Sequence, residues 1–256
     1  MDIPVRDCYF NIINQQNETD GQGCPSYEHM TVIFDNLHPN PPPGFRPFNP
    51  NAPVRFYTRH LPHWRQDGAT YSVTFRLNDA LPPDVIRELR TLKEQFDRTH
   101  PARRSEKDWE EYARKVTQLS EDSVDTGYGA CYFSEPGNAK LLADVLQFYQ
   151  KTQCEVPCLV VMPNHAHAVM KPLPSFELED VLQGIKGYVA RQVNQRRNAL
   201  GSIWEQESYD RIIRDTRHLE NVVRYFGRNG TKANLPPEKF IRWISPEWQA
   251  ADWDFD

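Results

Sequence analysis

The stretch Met162-Pro163-Asn164-His165-Ala166-His167-Ala168-Val169 constrains the fold of this chain more than any other. It follows an apolar run, Cys158-Leu159-Val160-Val161-Met162, with the length and composition of a buried strand. Side chains alternate along a strand, so His165 and His167 fall on one face and Ala166 on the other. The segment beyond Pro163-Asn164 reads either as a second strand paired with the first or as one strand with a kink. Imidazoles sharing a strand face are natural ligands for a divalent metal. Further on, Ser175 is placed to cap a helix with Glu177, Glu179 and Asp180 at its start and an apolar stripe of Leu178, Leu182, Ile185, Val189 and Val193. Tyr188 and Gln192 lie four apart on that predicted helix, at the rim of the stripe, and share a face.

Elsewhere the pattern alternates between strand and helix periods. Tyr71, Val73, Phe75 and Leu77 predict a half-buried strand, and Pro82-Pro83-Asp84 opens a helix through Val85, Ile86, Leu89 and Leu92. Residues 93–125 are highly charged, with Trp109, Tyr112, Val116 and Leu119 at helical spacing, and read as a helical insertion. Ala139 to Tyr149 predicts a further amphipathic helix. Residues 1–53, proline-rich from Pro39 to Pro50, read as a flexible arm that Phe45, Phe48, Phe56 and Tyr57 can pin in part. The folded domain then spans 54–242. The acidic, tryptophan-rich tail 243–256 reads either as disordered or as a nucleic-acid mimic folded over a basic cleft.

The net charge of −5 over 256 residues is unevenly spread. Residues 1–53 hold six acids and two bases, and 243–256 hold four acids and no base, so the middle is positive. From Lys186 to Arg242 there are twelve bases against six acids, the field that phosphate binding requires. Five scattered cysteines favour reduced thiols, and with no apolar run of membrane-spanning length and no visible export signal a cytoplasmic protein without membrane partners is expected. Cys154 and Cys158, lacking a second pair, are read as structural.

The His-hydrophobic-His motif with a downstream helical tyrosine resembles the HUH single-strand nucleases. The wider text is similar to the REP-associated tyrosine transposases, relatives of the IS200/IS605 transposases. The similarity runs in order through Arg59-His60-Leu61-Pro62-His63-Trp64 with Ala69–Leu77, Gly127–Cys131, the Met162–His167 block, the Tyr188 helix, Ile203–Arg214 and Val223–Asn229. It covers roughly 57–235, about seven tenths of the chain.

The resemblance implies an α+β fold, a ferredoxin-like antiparallel sheet with helices on one or both faces. It implies Tyr188 as nucleophile and His165, His167 and Gln192 as ligands of Mg²⁺ or Mn²⁺, with Mn²⁺ the tighter. The activity implied is cleavage and rejoining of single-stranded, hairpin-forming repeat DNA (REP-like palindromes) through a 5′-phosphotyrosine. Tyr209 is the rival nucleophile. Arg59, His60, His63, Arg76, Asn164, Lys186, Arg191, Arg211 and Arg214 are candidate DNA contacts. A cleavage-silent hairpin-binding regulator and a replication-initiator or relaxase nickase remain alternatives, and monomer and homodimer stay open. Gly230 stands where relatives carry proline after the late asparagine, which predicts a looser turn.

Overall fold

The alternation Tyr71, Val73, Phe75, Leu77 puts four large side chains on one side of a strand. In the computed structural model, which describes residues 40–101, 104–150 and 152–256, all four are nearly inaccessible to solvent. Preceding this strand is a small hairpin, β1 (Arg55–Thr58) with β2 (Pro62–Arg65). The main sheet contains β3 (Tyr71–Arg76), β4 (Cys154–Val161), β5 (His165–Pro172), β6 (Tyr209–Ile212) and β7 (Ile241–Ile244) in the order β6-β3-β5-β4-β7, every neighbour antiparallel. Between β3 and β4 come α1 (Pro83–Thr99), α2 (Glu106–Val124) and α3 (Pro136–Tyr149); α4 (Leu178–Arg197) joins β5 to β6. Without β7 and the α1–α2 excursion this is the ferredoxin-like arrangement. The segment after Pro163-Asn164 is a paired strand, not a kinked continuation. After β6 follow α5 (Thr216–Lys232), β7 and the short α6 (Pro246–Gln249).

Strand alternation divides the interior in two. Val73, Phe75, Leu159, Val161, Ala166, Ala168 and Met170 face α3 and the stripe of α4, including Leu182, Ile185 and Val189. The opposite side, with Cys158, Val160 and Val169, packs on Leu219, Val223 and Phe226 of α5. Cys154 and Cys158 are buried free thiols, and burial pushes the Cys154 pKa up to about 12. The α1–α2 excursion has its own cluster of Phe96, Trp109 and Tyr112, with the Arg104 guanidinium 4.8 Å from the Phe96 ring centre. Ser105 and Asp108 form a reciprocal cap at the start of α2. At α4 the expected Ser175 cap is absent. Ser175 is left-handed at φ 75°, and the N-cap is Glu177, which makes no side-chain cap bond.

Two chain segments depart from expectation. The part of the expected flexible arm at 1–39, with Cys8 and Cys24, lies outside the described residues. Residues 40–53 are tied down: Phe45 enters the second core, Phe48 N–H bonds to Ile213 O at 2.9 Å, and Arg46 N–H to Thr70 Oγ1 at 3.0 Å. The tail is packed against the domain. Trp248 and Trp253 are 2% and 3% exposed, and their indole N–H groups bond to Pro43 O and Asn40 O. Indoles carry a large apolar area and one donor, so they bury where a carbonyl can accept. No helix of the described residues is long and apolar enough to cross a membrane.

Candidate active site

His165 and His167 project from β5 on the side opposite Ala166 and Ala168, toward α5, and both are fully buried. Each ring is held through Nδ1. His165 Nδ1 meets Asn164 Oδ1 at 2.8 Å, and His167 Nδ1 meets Thr74 Oγ1 at 2.8 Å. Asn164 Nδ2 donates to Val124 O and Tyr128 O, so its oxygen accepts and His165 carries its proton on Nδ1. Burial lowers the His165 pKa to about 3, with the charges of Arg76 and Lys232 adding to the effect. His167 is pushed down by burial, by His165 and by Lys232. Both rings are neutral at physiological pH, the form in which histidine binds a metal, and His165 presents an Nε2 lone pair.

α5 brings the remaining groups. Asp215 caps it by accepting from His218 N–H at 2.7 Å. From there Tyr225, Asn229 and Lys232 recur at i, i+4 and i+7 on one side. Asn229 Nδ2 lies 2.7 Å from His167 Nε2, the Tyr225 ring centre is 5.8 Å from that of His167, and Phe226 stacks on His167 at 4.7 Å. His165 Nε2 and Asn229 Oδ1 are buried and make no hydrogen bond. Unsatisfied buried acceptors around a lone pair suit a cation. Among the described residues no three His, Cys, Asp or Glu side chains are grouped to hold an ion by themselves, so the amide oxygen is needed.

The fold separates the expected nucleophile and third ligand from the histidines. Tyr188 and Gln192 ride on α4, whose stripe packs against the Ala166 and Ala168 side of the sheet. The sheet therefore lies between them and the histidines. Tyr188 is 42% exposed, beside Arg191 at 6.0 Å. Tyr225 and Asn229 repeat the same tyrosine-x3-amide spacing on the helix that does cover the histidine face, and that repeat in the Val223–Asn229 block was the available signal. Tyr209, paired with Thr74, shares the histidine face but sits one strand further out, in a pocket with Thr117 and Glu121 of α2.

The candidate DNA contacts divide between two faces. Arg76 pairs with His165 across β3 and β5, and its charge reaches that ring. Arg211 alternates with Tyr209 on the same side, its pKa lowered to about 10 by burial. Arg214 is exposed just beyond β6. Arg59, His63 and Lys186 instead line a cavity of about 570 Å³ with Tyr57 and Trp204, on the α4 side. His60 is exposed at its rim, its N–H bonded to Glu207 at 3.0 Å. Two assignments change. Asn164 is buried and orients His165, so it cannot reach DNA. His63 is buried with Nδ1 2.7 Å from Asp210, in a network that Arg65 and Glu207 complete.

That network gives a pH signature. Burial opposes the charged form of His63, but the bonds to Asp210 and Glu207 prevail and raise its pKa above the usual 6.5. Burial likewise opposes the Asp210 carboxylate, but His63 and Arg65 hold its pKa below the usual 3.8. Stability from His63 is complete below pH 6.5 and is lost as pH rises through the folded value. That from Asp210 is complete above pH 3.8 and is lost as pH falls through its folded value. Thermal unfolding of wild type and His63→Gln should therefore differ most between these limits, with the gap narrowing above pH 6.5. A gap constant to pH 8.5 contradicts the assignment.

Residues 130–229 match the model of a family described as "Transposase IS200 like". A solved chain described as "Structure of the REP associates tyrosine transposase bound to a REP hairpin" is similar at 18% identity, over 69% of this chain and 72% of that one, with a TM-score of 0.36. No curated protein matches. The matched segment contains His165, His167, Tyr225 and Asn229.

Proposed function

We propose that the chain is a metal-dependent single-stranded DNA endonuclease and strand transferase of the REP-associated tyrosine transposase kind. It cleaves hairpin-forming repeat DNA through a 5′-phosphotyrosine and can rejoin the strands. One observation carries this reading: a tyrosine and an amide from α5 meet two neutral, oriented imidazoles on the central strand. His165 and His167 through Nε2 would hold the divalent cation, with Asn229 through Oδ1 once its amide nitrogen leaves His167 Nε2, and this donor set would accommodate Mn²⁺ better than Mg²⁺. Bound there, the cation supplies Lewis-acid polarisation of the scissile phosphate.

Tyr225 Oη attacks phosphorus. The Oη–P bond forms, the P–O3′ bond breaks, the phenol proton passes to solvent, and the 3′ oxygen takes a proton from solvent to leave as a hydroxyl. The phosphodiester energy is kept in the phosphotyrosine, so a 3′-hydroxyl can reverse the step without ATP. Arg76 stands beside His165 to receive a phosphate. Asn164 and Thr74 do not touch DNA; they fix which nitrogen of each imidazole faces the centre.

The test is a labelled single-stranded hairpin library incubated with Mn²⁺, with Mg²⁺ or with chelator. A covalent protein–DNA adduct that needs the metal is expected. Hairpin binding without an adduct overturns the enzymatic reading in favour of a regulator. Asn164→Ala should weaken Mn²⁺ binding about 10- to 100-fold, read by calorimetry, because His165 loses its orienting acceptor. Unchanged affinity contradicts that role.

A further inference from the structure

His165 gives its Nδ1 proton to Asn164 and so turns an Nε2 lone pair toward Asp125, whose Oδ1 stands 3.7 Å away. Asp125 closes α2, its side chain is 7% exposed, and its other oxygen receives the Lys232 ammonium at 2.9 Å. A lone pair and a carboxylate oxygen facing each other in a buried space repel unless a cation lies between them.

We infer that Asp125 is the anionic group of the divalent-cation site, acting beside His165, His167 and Asn229; this rests on the metal-dependent reading above. Among the described residues His165, His167 and Asp125 are not grouped to hold an ion by themselves, so Asp125 acts through its charge on the ion. Two imidazoles and an amide alone are a neutral set. A carboxylate adds negative charge and a hard oxygen, which favours Mg²⁺ and Mn²⁺. Lys232 shares that carboxylate and competes with the ion for it. The α1–α2 excursion, which precedes residues 130–229, thus contributes a group to the centre.

The experiment measures Mn²⁺ binding to the full chain without DNA, from the electron paramagnetic resonance of free Mn²⁺. Asp125→Asn should weaken binding about tenfold or more. Lys232→Met should tighten it several-fold, since the competing ammonium is gone, and His167→Ala should abolish it. Asp125→Asn binding like wild type, while His167→Ala does not bind, overturns the inference and leaves the metal reading standing. Wild type that binds no Mn²⁺ overturns both. If circular dichroism shows that Asp125→Asn does not fold, Lys232→Met decides: unchanged or weaker affinity overturns the inference.

Discussion

Tyr225→Phe should abolish the covalent protein–DNA adduct, slowing cleavage about 10³-fold or more, while Tyr188→Phe and Tyr209→Phe retain it. The substitution removes one hydroxyl and keeps the ring beside His167, so the fold and the cation site stay intact. The reasoning is positional. A nucleophile must reach the phosphorus at the histidine centre, and α5 and the outer strand β6 place Tyr225 and Tyr209 on that face. Tyr188 is on the far side of the sheet, beyond any side-chain rotation. The assay is denaturing electrophoresis of labelled hairpin with each variant and Mn²⁺. An adduct that persists in Tyr225→Phe and vanishes in Tyr188→Phe returns the nucleophile to α4.

Trp253→Ala should destabilise the protein by about 3–5 kcal/mol, the range for truncating a buried aromatic. For a domain of this size that lowers the melting temperature on the order of 10 °C. The indole is 3% exposed, packs on Trp248 at 5.6 Å and donates to Asn40 O at 2.9 Å. Removing it opens the second core and frees the strap formed by residues 40–48. Affinity for hairpin DNA, measured well below the melting temperature, should not rise, since the tail covers α5 and not a phosphate channel. A melting temperature within 2 °C of wild type, or markedly tighter DNA binding, sinks this account of the tail.

Much of the fold was legible because it is local. The alternation through Tyr71–Leu77, the Cys158–Met162 run and the stripe of α4 each predict their element, and the parity of His165 and His167 predicts a shared face. The site was only half legible because the rest is not local. Tyr188/Gln192 and Tyr225/Asn229 have the same i, i+4 spacing, which places each pair on one helix face but says nothing of which side of the sheet the helix covers. Strand pairing and crossover direction decide that, through contacts far apart in sequence. Asn164 is similar: a polar residue in a turn reads as exposed until Val124 O and Tyr128 O arrive from the end of α2 to take its amide. The acidic tail misled by composition, because its indoles are satisfied by carbonyls some two hundred residues earlier.

Gly230 was expected to loosen a turn; instead it lies within α5, where an added Cβ would collide with the Phe240 ring, and Gly227 one turn earlier is likewise closed by Phe255. α5 is thus seated like a rail between the sheet and the chain's own last residues. On the proposed reading, the tyrosine it carries is mounted on a fixed post, and strand exchange would proceed by moving nucleic acid ends past that post. Trading this helix with a second copy would first require prying Phe240 and Phe255 out of their notches, a toll that sets the helix apart from a hinged arm.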